Sequence, residues 1–127
     1  MALPPNVKVE ATPNFLANLV AAHQFFLVQD ADSADARLAK LKADLREMVA
    51  VLKWSPASGR PARFLTARSA QAALRTNVVR QLAEQAGMPY LREYVPGPHI
   101  VLYAHSATDV VLLASKHQRQ LGYATAY

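Results

Sequence analysis

Near the end of the chain, Val110-Val111-Leu112-Leu113-Ala114-Ser115-Lys116-His117-Gln118-Arg119-Gln120 passes from an apolar run straight into a histidine and an arginine two positions apart. An imidazole takes or gives a proton near neutral pH, and a guanidinium neutralises charge that develops on a phosphate oxygen. Such groups suffice to cleave a phosphodiester without metal when the 2′-hydroxyl of RNA is the nucleophile. Arg92, in Tyr90-Leu91-Arg92-Glu93-Tyr94-Val95, and Tyr123 in the tail are the other residues that could join His117 and Arg119, with Arg63 as a phosphate contact. The plainer reading makes Arg92 and Glu93 members of structural ion pairs and His117 the residue that ends a strand.

Other chemistries find less support. The chain has no cysteine, which excludes disulfides and thiolate metal sites and fits a reducing cytoplasm. Its four histidines, His23, His99, His105 and His117, show neither HxxxH nor HExxH spacing, so no metal is expected. There is no Gly-rich phosphate loop and no G-x-S-x-G elbow, so no cofactor is expected either.

At 127 residues, with 52% hydrophobic and 18% charged, the chain is long and apolar enough for one domain with a real core. The opening residues lack the pattern of a signal peptide, and no apolar run approaches the length of a membrane span, so a soluble cytoplasmic protein is expected. The net charge of +5 is not spread evenly. Between Ala57 and Arg92, Arg60, Arg63, Arg68, Arg75, Arg80 and Arg92 face only Glu84, while the flanking segments are balanced. The planar fork of arginine matches phosphate or carboxylate, so this segment points to a polyanionic or acidic partner; a solvated basic helix is the bland alternative.

These residues need elements to hold them. Val7-Lys8-Val9-Glu10-Ala11 alternates as a strand does, and Thr12-Pro13 starts a helix expected to reach about Val28, with Leu16, Leu19, His23 and Phe26 on one face. His23 reads as a core-edge histidine with a hydrogen-bond partner. An acidic cap around Asp32 and Ser33 opens a second helix to about Trp54, striped by Leu38, Leu41, Leu45, Met48 and Leu52. Pro56, Gly59 and Pro61 stop it. A basic helix is expected over about 66–86, ended by Gly87 and Pro89, and then a meander of three strands, "YLREYV", "HIVLYAH" and "VVLLAS". The first strand must pair with that meander to satisfy its backbone. The expected fold is therefore α+β in two layers, with the helices on one face of an antiparallel sheet and the other face open. Strict alternation sets Val111 and Leu113 opposite Val110, Leu112 and Ala114, and lets Arg92, His117 and Arg119 converge on the open face.

The order of motifs resembles the RelE/ParE superfamily of type II toxin–antitoxin toxins. The resemblance rests on the strand and helical hairpin, the Pro-x-x-Gly-Arg-Pro of Pro56 to Pro61, Arg92-Glu93, Pro96-Gly97-Pro98-His99-Ile100-Val101-Leu102-Tyr103-Ala104, and the closing Ser115-Lys116-His117-Gln118-Arg119-Gln120-Leu121-Gly122-Tyr123. It covers most of the chain. Two features depart from the family pattern: the helical segment inserted at about 66–86, and a last strand in which Lys116 precedes His117 and Gln118 separates it from Arg119. The resemblance implies a toxin held by a cognate antitoxin in a hetero-oligomer, acting either on ribosome-bound mRNA as a metal-independent endoribonuclease or on DNA gyrase. For the nuclease it implies catalytic roles for His117, Arg119, Arg92 and Tyr123. Arg60, Arg63, Arg68, Arg75 and Arg80 are the candidate contacts to substrate or partner. A reading outside the toxins is a harmless nucleic-acid-binding accessory protein that uses the basic helix.

Overall fold

Thr12 turns the chain from strand to helix. Its backbone is extended, its hydroxyl accepts the Phe15 N–H at 3.1 Å, and Pro13 occupies the first helical turn, where a missing N–H costs nothing. In the computed structural model, residues 7–62, 81, 84, 87, 88 and 90–118 are described. Strand β1 (Lys8–Ala11) leads into helix α1 (Pro13–Gln29), and helix α2 (Ala31–Trp54) follows. One residue, Asp30, separates the helices. Its N–H returns to Phe26 O at 2.9 Å to close α1, and its carboxylate accepts the Asp32 N–H at 3.1 Å to open α2. A 3-10 turn (Pro56–Ser58) then precedes a two-residue strand β2 (Arg60–Pro61), followed by β3 (Tyr90–Tyr94), β4 (His99–His105) and β5 (Asp109–His117). Within the segment expected to be a basic helix, Gln81 and Glu84 are helical, and Gly87 ends it in the left-handed region at φ 72°.

The fold is α+β. A five-stranded sheet in the order β1-β5-β4-β3-β2 is antiparallel except where β1 runs parallel to β5. The first strand thus pairs with the meander, and β2 adds an edge strand that the sequence reading treated as part of a turn. Among the described residues no helix is long and apolar enough to cross a membrane.

Of the stripe on α2, Leu38 is only half-buried, while Leu41, Leu45, Met48 and Leu52 are buried, joined by Phe15, Phe26, Val101, Tyr103, Val110 and Leu112 between hairpin and sheet. On α1 the expected face is only partly right. Leu16 is 53% exposed and Phe26 is buried, while Asn14 and Phe15 face inward. His23 lies at the core edge with Asp35 3.1 Å away, as a partnered histidine should.

The sheet face away from the helices is not open. Leu102 and Ala104 have no exposed surface, and Leu113 and Ala114 are buried with Ala62 in a second cluster. The cause lies in β4, which is apolar on both phases and so must be covered on both sides. A second correction concerns register. Leu102 pairs with Ala114 but Tyr103 pairs with Leu112, so Leu113 is an extra residue, a β-bulge. Beyond the bulge the alternation inverts, and Ser115 and His117 join Val110 and Leu112 on the helix side. Helix α1 supplies what the bulge leaves unpaired. Asn14 donates to Leu113 O at 3.0 Å, and Asn18, one turn on, accepts the Ser115 N–H at 2.9 Å.

Candidate functional site

His99, Val101, Tyr103 and His105 share the helix-side face of β4, which has a histidine at each end. At the His105 end the side-chain polar atoms of His105 and Tyr103 and two of the Arg92 nitrogens are hydrogen-bonded within the fold, while the buried Arg60 Nε has no hydrogen-bond partner. Arg92 Nε donates to His105 Nε2 at 3.0 Å, which leaves His105 Nδ1 to carry the proton and donate to Ser106 O at 2.9 Å. Arg92 Nη1 donates to Gly59 O at 3.1 Å. The buried Tyr103 hydroxyl donates to Pro56 O at 2.7 Å and accepts the Gly59 N–H at 2.9 Å. Burial pushes the Tyr103 phenol above its ordinary 10.0, against the pull of the Gly59 N–H and the Arg92 charge. Gly59 is required by contact: a Cβ there would sit 2.6 Å from both Glu93 O and the Tyr103 hydroxyl. On the opposite face Arg60 Nε lies 3.6 Å from the buried Glu93 carboxylate. Arg92, Arg60 and Tyr103 together fasten the Pro56–Pro61 turn to the sheet.

The other end of β4 opens onto a groove of about 770 Å³ between the C-terminal half of α1, the start of α2 and the end of β5. His99 and His117, paired across β4 and β5, bring their rings edge to face with centroids 5.4 Å apart. His99 also meets the Phe26 ring edge to face at 6.1 Å. Arg37 sits over the Phe26 ring, its guanidinium carbon 4.1 Å from the ring centre, and donates to Gln29 Oε1 at 2.9 Å. Lys116 and Phe25 complete the mouth, and no acidic residue is among the described ones that line this groove. Asp44 lines a smaller cleft of about 100 Å³ beside it. His99 is 6% exposed, and its buried Nδ1 has no hydrogen-bond partner. Its pKa is held below the ordinary 6.5, first by burial and then by the His117 and Arg37 charges, with Asp44 pulling the other way. Among the described residues no three of histidine, cysteine, aspartate or glutamate group as metal ligands do.

No protein-family model matches the chain, and no curated protein matches it. The residues therefore have to speak for themselves. The structure does not bring Arg92 and His117 together. They share a face, but Arg92 pairs with Tyr103 and His117 with His99, four residues apart on β4, or roughly 13 Å along the strand. Arg92 is committed to the turn, whereas His117 lines the groove. Arg60 sits at the far edge of the sheet. Arg63, Arg68, Arg75, Arg80, Arg119 and Tyr123 lie outside the described residues. His99, Arg37 and Phe26 were not singled out from the sequence for function, although the alternation of "HIVLYAH" already puts its two histidines on one face. The bulge that redirects His117 has no local signal in the strand sequence, since the asparagines that stabilise it, Asn14 and Asn18, come from α1.

Proposed function

We propose that this chain is the toxin of a type II toxin–antitoxin pair of the RelE/ParE kind, acting in the cytoplasm and held by a cognate antitoxin. The supporting observation is structural use of the motif order. The Gly59-Arg60-Pro61 turn is an edge strand pinned by Arg92 and Tyr103, and the last strand carries His117 beside a basic groove. Two targets each draw on one feature. The imidazole pair of His99 and His117 in that groove favours cleavage of ribosome-bound mRNA, with the histidines moving protons. The engagement of Arg92 by Gly59 and His105 favours a contact surface instead, as gyrase inhibition would use.

Controlled expression tests the reading, with growth arrest as the expected outcome. Purified chain added to cell-free translation then separates the targets: new mRNA 5′ ends at ribosome-bound codons identify the nuclease, and intact mRNA with inhibited supercoiling identifies the gyrase poison. Unimpaired growth at high expression would overturn the toxin reading.

A further inference from the structure

The outward face of α1 is unlike that of a helix left in water. Its 17 residues include no aspartate, glutamate, lysine or arginine. Of the nine large apolar side chains exposed among the described residues, five lie on it: Leu16, Val20, Phe25, Leu27 and Val28. At about 100° per residue these five, with Pro13, Ala17, Ala21 and Gln24, fill the arc that points away from the core. The side toward the sheet holds polar residues instead, since Asn14 and Asn18 serve the bulge. In the same layer α2 follows the usual rule, with Asp35, Lys40, Lys42, Arg46, Glu47 and Lys53 on its wet side. A continuous apolar arc on one helix, beside a normally charged neighbour, marks a contact surface.

We infer that α1 is a dimerisation helix, its outward face covered by a second copy of this chain in an antiparallel crossing centred on Gln24. Charge limits the occupant first. The chain carries a net +5, so two copies repel wherever their basic surfaces meet, whereas the α1 face brings no charge to the contact. An acidic or basic partner would find nothing there to pair with. The lack of lysine and arginine also sets a lipid surface aside, because helices that lie on membranes present both beside their apolar face.

The pattern of the face then fits its own copy. Gln24 lies at the middle of the arc, with Val20 and Val28 four residues to either side and Ala21 and Leu27 three to either side. A two-fold axis beside Gln24 therefore sets Val20 of one copy toward Val28 of the other at both ends of the contact. It also sets the two Gln24 amides against each other. An amide donates and accepts, so it pairs with its own copy where a lysine or a glutamate would repel it. Ala17 and Ala21 keep the surface low, which lets the two helices approach. A contact of this length falls at the low end of specific interfaces, about 1,200 Å² in total, so micromolar dissociation is expected. The dimer stands or falls independently of the toxin reading.

The test is the mass of the full chain by sedimentation, at concentrations from about 1 μM to 1 mM. A monomer–dimer equilibrium is expected within that range. Gln24→Glu and Gln24→Lys should each weaken the dimer at least about tenfold, and an equimolar mixture of the two should restore it. Gln24 is exposed, so both variants should unfold at the wild-type urea midpoint, which separates loss of the dimer from loss of the fold. A monomer at every concentration would overturn the inference, and its capture by neutral phosphatidylcholine vesicles would give the face to lipid instead. A dimer that both variants leave unchanged would overturn it too, by placing the contact elsewhere. So would a mixture that associates no better than either variant alone.

Discussion

His105 and His99 close opposite ends of one strand on one face of the sheet, and the fold treats them in opposite ways. At the His105 end a histidine, an arginine and two tyrosines form a closed set: Arg92 reaches His105 and Gly59, Tyr103 reaches Pro56 and Gly59, and Tyr90 stacks on His105 at 5.0 Å. At the His99 end two histidines, an arginine and two phenylalanines line a space. Arg37 is braced by Phe26 and Gln29, yet it and His117 border the groove. Residue type alone does not separate a fastening from a site. What separates them is whether backbone carbonyls stand opposite the donors. The Pro56–Gly59 turn puts two of them against the His105 end, while the helical hairpin leaves the His99 end to side chains and open volume.

The sharpest way to break this comparison is Gly59→Ala. A Cβ at 2.6 Å from the Glu93 carbonyl and the Tyr103 hydroxyl meets backbone on one side and a buried ring on the other, so the turn must move. The expected loss is about 3 kcal/mol by urea unfolding, with β2 detached from β3. A loss near zero would show that the turn is not the fastening described. Arg92→Ala should come next, at about 2 kcal/mol, because Gly59 O and His105 Nε2 both lose a donor. His117→Ala, at the groove end, should cost about 0.5 kcal/mol or less. Equal costs for these two substitutions would erase the distinction between the ends.

The smallest effect is in pH, and its sign differs between the two ends. His99 has its pKa lowered in the folded chain, so below 6.5 the unfolded chain binds a proton that the folded chain resists. The stability carried by neutral His99 is present above 6.5 and is lost as pH falls. Tyr103 has its pKa raised, so its contribution is present below 10.0 and is lost as pH rises past it. Urea midpoints measured across both ranges should show an acid limb flattened by His99→Asn and an alkaline limb flattened by Tyr103→Phe. An acid limb unchanged in His99→Asn would assign the acid sensitivity to another group.

Much of this fold was legible in the order of residues. Thr12-Pro13 starts α1 through its own hydroxyl and ring, the leucine stripe of α2 faces the core, and Asp30 is short and polar enough to end one helix and begin the next. These outcomes depend on neighbours within a few positions, so a linear reading reaches them. The apolar residues on both phases of "HIVLYAH" carried the signal of a strand covered on two sides, but the reading by layers left that face of the sheet open and missed it. The candidate site was less legible. His117 was expected on an open face beside Arg92, and strict alternation supported it. One inserted residue at Leu113, stabilised by Asn14 and Asn18 from a helix almost 100 positions away, turned His117 to the helix side and toward His99. The sequence by itself determined which groups were available, because composition and short-range pattern are properties of the chain. Only the tertiary structure decided which of them stand opposite a carbonyl and which stand opposite space, because that depends on contacts between segments far apart in sequence.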